Sequence, residues 1–155
     1  LGSGAGKFCV AAAIRSQCSF SGVEQRPRFV EAARALAHAF GVDDRVRFST
    51  GALSRETIPT ADAYYLFNPF EENLFGSDEH LGEDVELSPE RYQRDIAFVK
   101  RFFEEEAPVG TYVIEYNGFG GRMPPSYETV LVDREMPNVL RMWRKGGKAI
   151  EGGTS

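Results

Sequence analysis

Three glycines alternate at the start of the chain, at Gly2, Gly4 and Gly6, and their spacing constrains the fold more than any other feature. Because glycine has no Cβ, such a run lets the backbone turn sharply and approach a ligand closely. The apolar residues 9–14 follow at once and predict a buried helix. We therefore expect a small-molecule cradle at the N-terminal end of this helix, where amide hydrogens point at the ligand.

The spacing of the glycines distinguishes between two phosphate-binding loops. A P-loop requires a glycine five residues before Gly6, where the chain has Leu1. It also requires Ser or Thr directly after Lys7, where the chain has Phe8, so the sequence argues against a P-loop. The dinucleotide fingerprint GxGxxG needs its third glycine where the chain has Lys7. The GxGxG pattern weakens the pyrophosphate interpretation without excluding it.

An acidic residue follows the next strand-like segment. Residues 19–23 predict a short strand, and Glu24 stands 18 residues after Gly6, close to the offset of about 20 residues at which an acid meets a ribose in dinucleotide-binding folds. A carboxylate there accepts hydrogen bonds from both ribose hydroxyls, each worth ~1.5–3 kcal/mol. Together with the glycines, Glu24 favours a nucleoside ligand. In the alternative interpretation, Glu24 is a solvated acid in the first turn of the next helix.

Composition describes one acidic globular domain. The 155 residues are 42% hydrophobic and 26% charged, with a net charge of −5 and a pI of about 5.1. No basic stripe is visible, which argues against a duplex nucleic acid partner.

We expect Cys9 and Cys18 to be buried thiols rather than a disulfide or a metal pair. With no apolar run of membrane-spanning length and no targeting motif, the chain is expected to be a cytoplasmic monomer that contacts no membrane.

Apolar periodicity predicts alternating strands and helices. Strands are predicted at residues 19–23, 46–49, 63–67 and 110–116, and helices at residues 7–16, 26–40 and 88–106. Two further strand-like runs, residues 127–132 and 139–143, are joined by too few residues for a crossover helix, so they must pair antiparallel.

These elements predict a three-layer, doubly wound α/β fold whose mostly parallel sheet ends in an antiparallel C-terminal hairpin. The domain is expected to span residues 1–145, with a flexible Gly-rich tail at residues 146–155. A strand normally precedes such a glycine bend, and a central parallel strand is buried on both faces. We therefore expect the natural chain to be longer, with at least one more strand upstream of Leu1.

Three segments carry a family resemblance. Residues 1–6, Gly22-Val23-Glu24 and Asn68-Pro69-Phe70 resemble, in this order, motifs of the class I S-adenosylmethionine-dependent methyltransferases. Those enzymes carry an LGSGxG-type loop after the first strand, an acid after the second, and a short motif facing the methyl acceptor after the fourth. The stretch from Cys18 to Glu24 is also similar to the corresponding stretch of the non-SET histone lysine methyltransferases.

The resemblance implies S-adenosylmethionine as methyl donor, S-adenosylhomocysteine as product, and no metal. It implies donor contacts from Gly2, Ser3, Gly4, Ala5, Gly6, Glu24, Gln25, Ala52, Leu53, Phe67 and Asn68. In the family, the turn after the third strand often carries an acid that binds the adenine, but Thr50, Gly51 and Ala52 provide none. The adenine is then expected to rest on Ala52 and Leu53, unless this is an ordinary strand-to-helix turn.

The resemblance also implies an acceptor role for Asn68, Pro69 and Phe70. Amino methyltransferases of this class carry D/N-P-P-Y/F, in which the polar side chain and a proline carbonyl accept hydrogen bonds from the target amine while the aromatic ring stacks on it. We expect Asn68 to orient a nitrogen nucleophile, Pro69 to stiffen the turn and Phe70 to shield the site from water. The single proline puts specificity for planar amines in doubt. The alternative is a strand-ending Asn-Pro turn.

Several alternatives stay open at the sequence level. Glu71 and Glu72 are candidates to take up a proton or attract a cationic substrate, and they equally fit solvated loop residues. His80, in an acidic loop, is a candidate base or a surface residue. The sequence does not identify the acceptor: we expect a protein lysine or a small amine, and a nucleobase is also compatible with Asn68. Rival functions are an NAD-dependent oxidoreductase and a non-catalytic nucleoside-binding domain.

Overall fold

A computed structural model of the chain describes residues 1–75, 81–82, 84–135 and 139–147. It contains helices α1 (Lys7–Arg15), α2 (Pro27–Ala39) and α3 (Pro89–Glu105), a 3-10 helix (Glu71–Leu74), and strands β1 (Phe20–Glu24), β2 (Val46–Thr50), β3 (Ala63–Phe67), β4 (Tyr112–Tyr116), β5 (Tyr127–Asp133) and β6 (Leu140–Lys145). Every predicted helix and strand is present, with its ends within two residues of the predicted ones. Among the elements of the described residues, the 3-10 helix is the one that was not predicted.

The strands form two hydrogen-bonded groups. Strands β1 and β2 pair parallel, and the second group has the order β3-β4-β6-β5. In that group β3 and β4 are parallel, whereas β6 is antiparallel to both β4 and β5. The predicted α/β class with a closing antiparallel hairpin is confirmed.

The glycine bend connects the two groups of strands. The nitrogen of Leu1 donates to the carbonyl of Tyr65 in β3 over 2.8 Å, and the N–H of Ser3 donates to the carbonyl of Val23 in β1 over 2.9 Å. The backbone of residues 1–3 therefore lies between β1 and β3. The bend that follows lies beside the carboxyl ends of both strands, where α/β sheets bind ligands.

Two hydrophobic clusters fix the helices against these strands. The first joins α1 and α2 to β2 and consists of Cys9, Val10, Ala13, Val30, Ala33, Ala37, Val42, Val46 and Phe48. The second joins α3 to β3 and β4, with Leu66, Val99, Phe103 and Val113 fully buried at its centre. Full burial of such side chains contributes about 1.5–3 kcal/mol each. The clusters thereby hold the strand ends that carry the candidate site.

One expectation, the burial of both cysteines, needs correction. Cys9 is buried as expected, but Cys18 is exposed because it lies in the connection between α1 and β1 rather than on a helix face. Gly146, the predicted start of the flexible tail, donates its N–H to the carbonyl of Ser126 over 2.8 Å and so prolongs the hairpin. Residues 148–155 of that tail lie outside the described residues. In the described ranges, none of the helices has the length and apolarity needed to cross a membrane.

Candidate active site

The three glycines of the bend have left-handed backbone conformations, with φ of 68° at Gly2, 51° at Gly4 and 74° at Gly6. A Cβ at Gly2 would lie 3.0 Å from the Cβ of Pro69, so Gly2 permits close approach to the predicted acceptor motif. A Cβ at Gly6 would lie 2.6 Å from the ring of Phe48, so Gly6 permits packing of α1. A Cβ at Gly4 would meet no atom of the described chain within 4 Å, because that part of the bend borders a cleft.

Glu24 ends β1 and is in contact with the glycine bend. Its carboxylate is buried and accepts two backbone hydrogen bonds, from Gly4 to Oε2 over 3.0 Å and from Arg26 to Oε1 over 2.9 Å. The carbonyl of Glu24 accepts from the N–H of Gly51 over 2.9 Å, which brings the turn after β2 to the same place. The two predicted donor-binding features therefore meet, and each carboxylate oxygen retains capacity for a second hydrogen bond.

A cleft of about 280 Å³ opens beside this contact, close to the lower end of the ~300–1,000 Å³ range of small-molecule sites. Its walls bring together ten of the predicted site residues, namely Gly2, Gly4, Glu24, Gln25, Ala52, Leu53, Phe67, Asn68, Pro69 and Phe70. Ser3, Ala5 and Gly6 do not line it. The hydroxyl of Ser3 is buried and has no hydrogen-bond partner within the described part of the chain.

Asn68 begins the turn after β3 in an uncommon conformation. Its φ of 43° lies in the left-handed region, which residues other than glycine seldom occupy. The backbone N–H of Asn68 donates to the carbonyl of Gly118 over 3.1 Å, and its side-chain nitrogen donates to the carboxylate of Glu71. Because the amide nitrogen is the donor in that second bond, Oδ1 remains as the acceptor of the side chain.

The aromatic rings of this turn differ in accessibility. Phe70 is only 6% exposed and belongs to the hydrophobic cluster under α3, although it also lines the cleft. Phe67 is 56% exposed and lines the same cleft, where its ring meets that of Tyr116 edge-on with centroids 5.1 Å apart. Of these two rings, that of Phe67 is therefore the one accessible from the cleft, while Phe70 packs mainly in the core.

Arg26 lines the cleft but was not predicted as a site residue. It is 2% exposed, its guanidinium binds Glu72 through both terminal nitrogens over 2.9 and 2.7 Å, and its Nε lies 3.1 Å from a carboxylate oxygen of Asp84. Its position two residues after Glu24 was the one local indication of a place in the site. Its burial could not be predicted because its partners, Glu72 and Asp84, lie far along the chain. Glu72 is thus bound to a buried arginine, whereas its neighbour Glu71 is exposed.

A second arginine fixes Gln25. Arg91 at the start of α3 donates to Oε1 of Gln25 over 2.6 Å and forms an ion pair with Asp95 over 3.4 Å. Burial raises the pKa of the Asp95 carboxyl, although Arg91 opposes this shift. Since its oxygen is used by Arg91, Gln25 has its amide hydrogens left for a ligand. His80 lies outside the described residues.

The described residues contain no evident metal-binding site. Their His, Cys, Asp and Glu side chains form no group of three or more that could hold a metal ion.

No protein-family model matches the sequence, and no curated protein matches it either. Solved structures do match. An RNA methyltransferase from Salinibacter ruber, solved in complex with S-adenosyl-L-homocysteine, is 24% identical, with a TM-score of 0.64 over 100% of this chain and 84% of that one. TrmN from Thermus thermophilus is 16% identical with a TM-score of 0.63, and the match covers 92% of this chain but only 42% of TrmN.

These likenesses define the fold, which is the Rossmann-like fold of class I S-adenosylmethionine-dependent methyltransferases. The resemblance drawn from the sequence motifs is confirmed at this level. The [4+2]-cyclase SpnF also matches, at 12% identity and a TM-score of 0.59 over 94% of this chain and 73% of that one. Because one fold carries different reactions, the chemistry of this chain has to be argued from its site.

Proposed function

We propose that the chain binds S-adenosylmethionine in the cleft and transfers its methyl group to a nitrogen atom of an acceptor. One observation carries the proposal. The 3.0 Å hydrogen bond from Gly4 to Glu24 joins the glycine bend to the strand-end carboxylate, in a cleft that Asn68 also lines. The residues that we propose to bind the donor and the acceptor therefore line one cleft.

The residues present fit an adenosyl group. Both oxygens of Glu24 can each accept a further hydrogen bond from a ribose hydroxyl. The open side of Gly4 lets a ligand approach the backbone, as expected where a glycine is needed for contact rather than for packing. Ala52 and Leu53 supply apolar surface for the adenine, and Gln25 supplies amide hydrogens.

Catalysis on this proposal consists mainly of positioning. The bound donor supplies a methyl group attached to a positively charged sulfur. This methyl group is already activated for displacement by a nucleophile (SN2). Holding two reactants in line saves ~7–11 kcal/mol of the barrier. Oδ1 of Asn68 accepts a hydrogen bond from the acceptor nitrogen and turns its lone pair toward the donor, while Pro69 packs against the bend at Gly2.

Titration calorimetry with S-adenosylmethionine, S-adenosylhomocysteine and NAD tests this proposal. We expect the first two ligands to bind and NAD not to bind. Glu24→Ala removes both ribose contacts and should weaken binding of both adenosyl ligands about tenfold or more. Glu31→Ala, an exposed acid on α2, is the matched control and should bind as the unaltered chain does.

Binding of NAD without binding of the other two ligands would contradict the proposal and favour the oxidoreductase. Binding of both adenosyl ligands without methyl transfer to any amine would favour a non-catalytic nucleoside-binding domain.

A further inference from the structure

We infer that the acceptor is a small amine attached to an apolar or aromatic body, bound as its ammonium ion by Asn68 and Glu71. The inference rests on the proposed function and adds the chemical class of the acceptor and a residue that recognises its charge.

Part of the lining of the cleft is both apolar and exposed. Two large hydrophobic side chains line the cleft and are more than half exposed, Phe67 at 56% and Leu81 at 58%, and together they form its apolar rim. Exposed apolar side chains grouped at the rim of a cleft mark a binding surface rather than an ordinary solvated face. The backbone of Leu81 is fixed there because its N–H donates to Glu72 over 2.7 Å. The rim therefore favours an acceptor with an apolar body.

The cationic groups of the cleft are already engaged. Among the described residues that line it, Arg26 and Arg91 are the two basic side chains. Arg26 is held by Glu72 and Asp84, and Arg91 by Asp95 and by the Gln25 amide oxygen. A polyanion such as RNA is bound through several lysines or arginines that neutralise its phosphates. The described lining of the cleft offers no further basic side chain, which favours a small acceptor over an RNA.

The two adjacent glutamates have different surroundings, and only one suits a cationic ligand. Glu72 is paired with the buried Arg26, whereas Glu71 is exposed and its Oε2 accepts the side-chain nitrogen of Asn68. Oδ1 of Asn68 and the Glu71 carboxylate are thus neighbouring acceptors. An ammonium group has three donors and no acceptor, which matches this pair.

Glu71 also provides an acceptor for the proton that the ammonium group must lose before its nitrogen can be methylated. The N–H bond of the ammonium breaks, its electron pair becomes the nitrogen lone pair, and the proton passes to the Glu71 carboxylate and on to water. The nitrogen then forms a bond to the methyl carbon while the bond between that carbon and sulfur breaks, its electron pair remaining on sulfur. The nitrogen takes over the positive charge, so charge and atoms balance.

Ligand-observed NMR on the full chain saturated with S-adenosylhomocysteine tests the inference. The probes are 2-phenylethylamine, its uncharged N-acetyl derivative and a single-stranded RNA oligonucleotide. We expect the amine to bind at least about tenfold more tightly than the N-acetyl derivative, because one charge-assisted contact is lost. Glu71→Gln should abolish this preference and leave the affinity for S-adenosylhomocysteine unchanged. Glu90→Gln, an exposed acid at the start of α3, is the matched control and should retain the preference.

The outcomes separate the inference from the proposal on which it rests. If S-adenosylhomocysteine itself does not bind, the proposed function fails and the inference fails with it. If it binds and the amine does not, if the amine and its N-acetyl derivative bind equally, or if RNA displaces the amine, the inference alone is overturned. Phe67→Ser should weaken binding of 2-phenylethylamine, and an unchanged affinity would contradict the role of the apolar rim.

Discussion

Asn68 combines backbone strain with the proposed acceptor contact. A left-handed conformation at a residue other than glycine costs of order 1–3 kcal/mol, and such strain persists only where the surroundings impose it. Here the N–H of Asn68 is held by the carbonyl of Gly118 and its side chain by Glu71. The proposed role explains why the chain keeps asparagine, since glycine would adopt this φ at no steric cost.

Two substitutions at Asn68 separate strain from function. Asn68→Gly relieves the backbone and removes the side chain, whereas Asn68→Ala removes the side chain only. We expect Asn68→Gly to be the more stable variant by about 1 kcal/mol in urea unfolding. Both should leave donor affinity nearly intact and slow methyl transfer by about tenfold or more. If either variant lost donor affinity while turnover stayed normal, the acceptor role of Asn68 would be wrong.

At the same scale, Glu24 was predicted as a site residue from its distance from the glycines, and Asn68 from the family resemblance and its position after the apolar run Ala63–Phe67. The sequence did not distinguish Phe67 from Phe70 as the accessible ring, because the continuous apolar run Ala63–Phe67 has no polar alternation to reveal which face is open. Nor did it identify Arg26, whose burial depends on Glu72, a residue 46 positions away.

At the scale of the elements, two glycines of the bend before α1, Gly4 and Gly6, allow the stability of the chain and its donor binding to be tested separately. Gly6→Ala would place a methyl group 2.6 Å from the Phe48 ring and 2.7 Å from the Ala33 Cβ. Overpacking and a left-handed alanine together should cost about 2–4 kcal/mol in urea unfolding. Gly4→Ala should cost only about 1 kcal/mol, because its methyl group meets open space.

In titration calorimetry, the order of the two variants should be reversed for the loss of donor affinity. Gly4→Ala directs a methyl group into the cleft and is expected to weaken donor binding more than Gly6→Ala does. Equal losses of stability in the two variants, together with unchanged donor affinity for Gly4→Ala, would contradict the division of roles along the bend.

A second element-scale prediction concerns the end of α3. Lys145 of β6 is buried, and its Nζ donates to the carbonyls of Phe103, Glu104 and Ala107 over 2.7, 2.7 and 2.8 Å. The ammonium thus satisfies carbonyls that a helix end leaves without partners and complements the helix dipole. We expect Lys145→Met to lower the free energy of unfolding by about 2–4 kcal/mol.

Chemical denaturation with Arg144→Met as control tests this prediction. Arg144 is exposed and makes one cation–π contact, with the ring of Tyr112 at 5.9 Å. Its replacement should cost about 1 kcal/mol or less. Equal effects of the two substitutions would show that the three carbonyl contacts contribute little.

The elements themselves were largely predictable, with one exception. Long apolar runs bounded by glycine, proline and polar residues are strong local signals, so helix and strand ends matched within two residues. The 3-10 helix Glu71–Leu74 is too short to show periodicity. It depends on Asn73, which is buried, donates to the Phe70 carbonyl over 2.9 Å and accepts from the N–H of Ser88 over 3.3 Å.

For the whole molecule, the ion pair between Arg26 and Glu72 connects the end of β1 to the segment after β3. Removing one partner of a buried pair leaves the other charge uncompensated, which costs about 3–5 kcal/mol. We therefore expect Arg26→Met to destabilise the chain by this amount in urea unfolding. Arg28→Met removes an exposed arginine 3.8 Å from Asp84 and should cost less than about 1 kcal/mol. Similar losses in both variants would contradict the connecting role of Arg26.

The arrangement of the whole sheet was only partly predictable. The short connection before β6 required an antiparallel hairpin, but nothing local indicated that β6 rather than β5 would lie beside β4. The contact between the bend and Glu24 followed from two motifs that this fold brings to the same sheet edge. The class of acceptor that we propose depends on long-range pairs made by Arg26 and Arg91, because these pairs determine which charged side chains in the described lining of the cleft are left for a ligand.

A crystal structure of the chain with S-adenosylhomocysteine tests the central claim most directly. The account predicts that the adenosyl group lies against Gly4, with both ribose hydroxyls within hydrogen-bond distance of the Glu24 carboxylate and the sulfur on the side of Asn68. A ligand bound elsewhere, or ribose hydroxyls out of reach of Glu24, would contradict it.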